Sequence, residues 1–290
     1  MLGDGTDYPG SIKATLTAGE WAGKFIFNIN FGGGTVNEGG SSTLPEVKAT
    51  LNDYSWEEIS AISASGEAQI TYGFKVGDTK EIILTNGEIY NVEIIGFNHD
   101  YVPNGNGDLT KDDEGNILNK TVGITFQFQE LISEYCMNIT SDEYPYGNNI
   151  GGWEASKMRE YLNDNEEGTV DSVLDLLPAD LTPELKDVVK ISDVGNMNTS
   201  TLIPTVDKLF LLSLEEVGLF YDNAVTGQGT QYEKFADSNS RIKYLDNIDT
   251  DWWLRSAHTS EIYSFFLISG GKGYGNGAGF NYGVAPAFCI

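Results

Sequence analysis

Groups able to do acid–base or metal chemistry are unevenly supplied in this chain: His99 and His258 are the only histidines, set against 43 acidic residues. A two-histidine metal site would need both, with carboxylates completing it. Because some carboxylate stands near any histidine here, such a site carries little weight, and no metal or cofactor is expected. The local signatures of catalysis are missing: there is no G-x-S-x-G elbow, no phosphate-cradling loop and no H-E-x-x-H pair. His99, in GFNHDY, is expected to end a strand and hydrogen-bond locally, and the pair it makes with Asp100 is the feature an enzyme would use. The run NGNGDLTKDDEGN at 104–116 offers alternating oxygens suited to a hard cation. It fails the EF-hand pattern, with Leu109 where a glycine is required at the sixth position and no glutamate at the twelfth, and reads as a solvated acidic loop. Cys136 and Cys289, the only cysteines, sit in apolar surroundings and read as buried thiols acting as small hydrophobes.

Recognition chemistry is better supplied. From Trp252 to Ile290 an aromatic opening and an apolar close bracket small, polar and aromatic residues with little aliphatic periodicity. Glycines recur at alternate or nearly alternate positions from 270 to 283, separated by Lys272, Tyr274, Asn276, Ala278, Phe280, Asn281 and Tyr282. Tyrosine supplies contact area at low rotamer cost, while serine, glycine and asparagine supply adaptable hydrogen bonds, so the segment reads as a binding surface on a fixed scaffold. The competing reading of Gly273, Gly275 and Gly277, as plain loop or bulge, has comparable weight. Trp252, Trp253 and Arg255 read as scaffold, the guanidinium stacking on an indole or pairing with a buried carboxylate.

These residues need elements to hold them. Trp56–Ser65 carries apolar residues at Trp56, Ile59 and Ile62, with Ser55 and Glu58 at capping-box spacing, and predicts a short helix. Alternating runs over 74–84 and 88–97, joined by Thr85, Asn86 and Gly87, predict a hairpin. Strands are expected over 121–128 and 209–214, and helices over 153–162, 170–177, 183–191 and from 214. Residues 1–52 read as a separate β-rich arm, with strands over 12–16 and 24–31 and a Gly/Ser/Thr link over 32–42. Two strands alone are marginal in water, so the arm is expected to pair in an assembly. Residues 53–290 then form the ligand-binding domain.

The formal net charge of −26 opposes contact with nucleic acid or an anionic membrane, and favours a basic partner or solubility. No window is apolar enough for a membrane span, and MLGDGTDYPG lacks the features of a secretory signal, so cytoplasmic synthesis is expected.

The blocks GFNHD at 96–100, GITF at 123–126, GGW at 151–153, TVDKLFLLS at 205–213, GTQYEKF at 229–235, WWLRS at 252–256 and GVAPAFC at 283–289, in that order, carry a resemblance over about 54–290. The chain resembles a domain of unassigned function from gut Firmicutes and their phages. That domain is similar to the C-type-lectin-like variable proteins of diversity-generating retroelements, which are distantly related in fold to formylglycine-generating enzymes. The resemblance implies an α+β, C-type-lectin-like fold and a variable surface at His258, Thr259, Ser260, Glu261, Tyr263, Lys272, Tyr274, Asn276, Phe280, Asn281 and Tyr282. It implies no catalytic residue, since the enzymes' cysteine pair has no counterpart. The function implied is non-enzymatic receptor binding on a phage tail or virion. The partners would be a host-surface protein or glycan, virion proteins through the arm, and other copies in a homo-oligomer, a trimer suiting a tail tip. The rivals are a structural virion decoration protein and a peptide- or glycan-modifying enzyme. Two departures stand out: the acidic insertion at 104–116 is long, and Ala285 stands where arginine is frequent.

Overall fold

The computed structural model describes residues 44–163 and 172–290, and the strands β1 (Lys13–Trp21) and β2 (Lys24–Gly32). The chain divides into two compact units, Met1–Thr43 and Leu44–Ile290. In the first, β1 and β2 pair antiparallel from Lys13↔Gly32 to Trp21↔Lys24. Of the link expected over 32–42, Gly32 ends β2, and 33–42 lie outside the described residues. Residues 44–52, assigned to the arm from sequence, pack on the second unit: Leu51 is buried, Tyr72 Oη donates to Pro45 O and Lys48 N–H donates to Tyr54 Oη.

The second unit opens with α1 (Trp56–Ser65), which has the expected reciprocal cap: Ser55 Oγ accepts from Glu58 N–H and Glu58 accepts from Ser55 N–H. Strands β3 (Thr79–Ile83) and β4 (Ile89–Phe97) form the expected hairpin, closed by Gly87 at φ +88°. There follow β5 (Ile124–Phe128), β6 (Ser133–Tyr135), α2 (Lys157–Asn163) and α3 (Val173–Leu176). Next come β7 (Val188–Asp193), β8 (Leu202–Asp207), β9 (Leu209–Phe210), β10 (Tyr244–Leu245) and β11 (Ile248–Asp249). The chain closes with β12 (Trp252–Ala257), β13 (Ser264–Ser269), β14 (Lys272–Gly277), β15 (Tyr282–Val284) and β16 (Ala287–Cys289).

Two five-stranded sheets organise the unit, in the orders β3-β4-β5-β16-β9 and β14-β13-β12-β15-β6. The last strands tie them together, because β15 lies in one sheet and β16 in the other. Phe126, Phe128, Phe288 and Trp56 interlock by edge and stacked contacts in the core.

This architecture corrects the expected α+β, C-type-lectin-like assignment: the chain is β-rich, 29% strand against 13% helix, and nothing identifies a C-type-lectin fold. The expected helices shrink or vanish. Over 183–191 only one turn forms at Thr182–Glu184, and Val188–Asp193 becomes a strand paired along its length with β8. Short apolar runs fit either period, and pairing decides for the β-branched Val188, Val189 and Ile191. The expected helix over 153–162 starts only at Lys157, after a turn set by Gly151 and Gly152 at positive φ. From 214 the chain makes turns, with Gly218 at φ +73°. The strand expected over 209–214 covers only Leu209–Phe210.

Candidate functional site

Strand β14 is the outer strand of its sheet, and its alternation of glycine with larger residues gives it two unlike faces. Gly273, Gly275 and Gly277 face Tyr221, His258 and the Tyr146–Phe280 contact at distances that leave no room for a side chain. A Cβ would lie 2.8 Å from Tyr221 Cε2 at 273, 2.8 Å from His258 Cδ2 at 275, and 3.0 Å from Phe280 Cε2 at 277. The glycines therefore let the strand lie flat on an aromatic bed, in which Phe266 stacks with Tyr221 and His258. Between them, Lys272, Tyr274 and Asn276 project from the opposite face, across from Ser269, Leu267 and Phe265 of β13. Tyr274 is 54% exposed. Asn276 Nδ2 donates to Tyr282 Oη at 2.5 Å, and the Tyr282 ring meets buried Trp253 edge-on.

At the far end of β14 three exposed rings meet. Tyr146 lies 6.1 Å from Tyr263 and 6.1 Å from Phe280, centroid to centroid. Their exposures are 56%, 40% and 46% respectively, large values for rings in mutual contact. The backbone fixes all three segments: Gly279 N–H donates to Tyr146 O, and Ala278 N–H to Tyr263 O, both at 2.7 Å. Beneath them Asn149, fully buried, holds the 258–264 loop. Its Nδ2 reaches the carbonyls of His258, Glu261 and Ser264 at 3.1, 2.8 and 2.8 Å, and its Oδ1 accepts from Asn196 N–H. The result is a preorganised aromatic platform continuous with the β14 strand.

Of the residues placed on the surface from sequence, Ser260, Tyr263, Lys272, Tyr274, Phe280 and Asn281 are exposed, and Thr259, Glu261, Asn276 and Tyr282 are half-buried. His258 departs from expectation. It lies buried under Gly275, its Nδ1 accepting from Ser260 N–H and its Nε2 against the Asn223 side chain. Burial lowers its pKa, with Glu261 opposing, so it supports the surface as a neutral ring. Tyr146 and Asn149 were missed, since nothing in their local sequence ties them to a segment more than a hundred residues away. The exposed aromatic Tyr146 between Pro145 and Gly147 was the only available hint.

Of the scaffold residues, Arg255 reaches a charged interior, while the Trp252 and Trp253 indoles donate to Arg241 O and Tyr135 O. Arg255 is fully buried and forks onto Glu216, with Nε donating to Ser192 Oγ at 3.0 Å and Nη1 to Leu211 O at 2.9 Å. Lys190 joins Glu216 at 2.6 Å to Asp100 at 2.7 Å. Asp100 also accepts from Tyr232 Oη and Thr125 Oγ1, and Cys289 Sγ lies 3.5 Å away. Burial opposes ionisation of Asp100, yet Lys190 and His99 hold its pKa well below the usual carboxylate range. Glu216 is likewise held down, against burial, by Arg255 and Lys190. Asp193 differs: burial pushes its carboxyl up to about 6, against the N–H groups of Gly195 and Ala257.

The sequence blocks meet here. GFNHD supplies Asp100, GITF Thr125, GTQYEKF Tyr232, WWLRS Arg255 and GVAPAFC Cys289, while Trp153 of GGW donates to Asp207 of TVDKLFLLS at 3.0 Å. A cleft of about 560 Å³ between the 108–117 loop, β7–β8 and the 227–230 loop opens beside this network. Its charged floor is occupied by its own ion pairs. His99 lies two residues past the end of β4, after Asn98 at φ +50°, rather than ending the strand, and its hydrogen bond is distant rather than local, the ring stacked 3.7 Å from Tyr232 with Nε2 on Thr230 O. Asp112 is occupied in the same way, accepting from the N–H groups of Glu114 and Asn116 within the acidic loop. Among the described residues no cluster of three or more His, Cys, Asp or Glu is placed to hold a metal. None of their helices is long and apolar enough to cross a membrane.

No curated protein and no solved structure matches the chain. One family profile does, over residues 129–290, a span that takes in every ring of the platform, the β14 surface and its buried bed. That span is more than half of the sequence, and the chain belongs to the family of the domain of unknown function DUF6273.

Proposed function

We propose that the chain is a non-enzymatic binding protein whose C-terminal surface, from Tyr263 through Tyr274 to Phe280 and Asn281, contacts a host molecule from a phage tail or virion. One observation carries this reading: large aromatic side chains stand exposed on a backbone that glycines and buried hydrogen bonds hold in place. Exposed rings that the fold does not bury, on a preorganised frame, are the composition and geometry of recognition surfaces. Residues that can be exchanged there without touching the Trp252–Ala257 strand suit the diversification that the resemblance implies. The arm hairpin, marginal alone, suits contact with other virion proteins or other copies of the chain, in a homo-oligomer such as a trimer.

The test is binding of the labelled full-length protein to a panel of intact bacterial cells. The Tyr263→Ala/Phe280→Ala double variant is expected to lose binding while its unfolding midpoint holds. Undiminished binding by that variant refutes the reading.

A further inference from the structure

We infer that the Tyr146–Tyr263–Phe280 platform takes a cationic partner, an arginine- or lysine-bearing protein segment. The inference rests on the binding reading above and names the chemistry of its ligand.

The argument starts from charge. The three segments that build the platform are 138–152, 256–271 and 273–290, and together they contain Asp142, Glu143 and Glu261 but no lysine or arginine. Asp142 and Glu143 are exposed in the turn, closed by Ser141 N–H on Tyr144 O, that leads into Tyr146. Glu261 is half-buried two residues from Tyr263, its Oε2 accepting from Ser264 Oγ. The only histidine in these segments, His258, is kept neutral by burial. Three cations come near in sequence or contact. Arg255, beside Ser256, is fully buried and paired with Glu216. Lys272 stands at the opposite end of β14. Lys157 N–H reaches Asn138 Oδ1, but its Nζ pairs with Glu160 at 2.5 Å.

Ring faces carry negative quadrupole potential, and a guanidinium or ammonium is attracted to them most strongly where water is thinned out. Three exposed rings on segments that carry three carboxylates and no lysine or arginine suit a cation with an apolar stem, whose stem would lie on the rings while its head reaches a carboxylate. The field of a chain with net charge −26 speeds the approach of a basic partner and repels an acidic one. A neutral glycan can stack on the rings and donate hydroxyls to the carboxylates, but it gains nothing from the long-range field of the acidic chain.

The experiment uses the full-length protein and a labelled peptide containing four arginines spaced by glycine and serine, with its citrulline counterpart as the neutral isostere. Anisotropy is read at low and at high salt, and a set of neutral oligosaccharides is tested in parallel. The arginine peptide is expected to bind at least tenfold more tightly than the citrulline one, and to weaken as salt rises. Tyr146→Ala, Phe280→Ala and the triple Asp142→Asn/Glu143→Gln/Glu261→Gln are each expected to lower its affinity at least fivefold with the unfolding midpoint unchanged. A control triple, Glu46→Gln/Asp113→Asn/Glu114→Gln, removes the same charge elsewhere and is expected to leave it. Equal loss in the control triple, or none in Tyr146→Ala and Phe280→Ala, overturns the inference, because the attraction would then belong to the whole acidic chain. Binding of an oligosaccharide that Tyr146→Ala abolishes, without binding of the arginine peptide, overturns the cationic class and leaves the binding surface standing. If neither probe binds, the cationic class fails, and the cell-binding assay decides the surface by itself.

Discussion

Truncating Arg255 to alanine tests the frame beneath the surface. The side chain is fully buried, and besides its fork onto Glu216 it donates to Leu211 O at 2.9 Å, Gln228 O at 2.5 Å and Ser192 Oγ at 3.0 Å. Removing it leaves the Glu216 carboxylate, among the described residues, with Lys190 as its remaining cationic partner and strips donors from two buried carbonyls. Breaking a buried pair from one side costs about 3–5 kcal/mol, mostly because the surviving charge stays desolvated. For a unit of this size each kcal/mol moves the unfolding midpoint by about 2–4 °C, so a drop of about 6–20 °C is expected. Arg255→Lys keeps the charge but cannot span the fork and the carbonyls together, and is expected to lie between the two. The assay is urea unfolding of both variants, of Glu216→Gln and of Arg255→Ala/Glu216→Gln as a double-mutant cycle. A coupling of about 1–3 kcal/mol is expected for groups in direct contact. A loss below about 1 kcal/mol for Arg255→Ala, or an additive cycle, refutes the claim that this network fixes the fold.

Three further outcomes follow from the geometry. Gly275→Ala puts a Cβ 2.8 Å from His258 Cδ2, and urea unfolding is expected to show a loss of about 1–3 kcal/mol from overpacking. Asn149→Ala strips the donor shared by the carbonyls of His258, Glu261 and Ser264. It is expected to cost about 1–3 kcal/mol and to speed hydrogen exchange over 258–264 in particular, whereas uniform acceleration across the unit would contradict the positioning role. Asp193 has a folded pKa raised to about 6 from 3.8, so between those values the native state holds more protons than the unfolded one. Its share of stability therefore falls as pH rises through that window, by about 3 kcal/mol at most. Asp193→Asn is expected to flatten that slope, and an unchanged stability–pH profile would count against it.

How far the fold could be read in advance depended on how local its causes are. The capping box of Ser55 and Glu58 and the Thr85–Asn86–Gly87 turn act within a few residues, and both are present as expected. Val188–Asp193 is a strand only because Leu202–Asp207 pairs with it, a partner no local window contains. The same holds at the surface. The alternation of glycine with Lys272, Tyr274 and Asn276 announced one bare face and one bearing side chains. It could not announce that His258 lies under the bare face, or that Tyr146 arrives from a distant loop to complete the platform. Arg255 read as stacking on an indole or pairing with a buried carboxylate; the structure shows it buried and paired with Glu216, a carboxylate that could not be chosen from so many acids without coordinates. Residues of five of the blocks, Asp100, Thr125, Tyr232, Arg255 and Cys289, far apart in sequence, meet in one buried network that no local window contains.

The most direct test of a stable frame carrying an exchangeable surface is the unfolding free energy of a variant with Tyr263, Tyr274, Phe280 and Asn281 all changed to serine. Exposed positions away from buried contacts each move stability by about 0.5 kcal/mol or less, so a total change within about 2 kcal/mol is predicted. A loss above about 4 kcal/mol would place these side chains in the core and contradict the account.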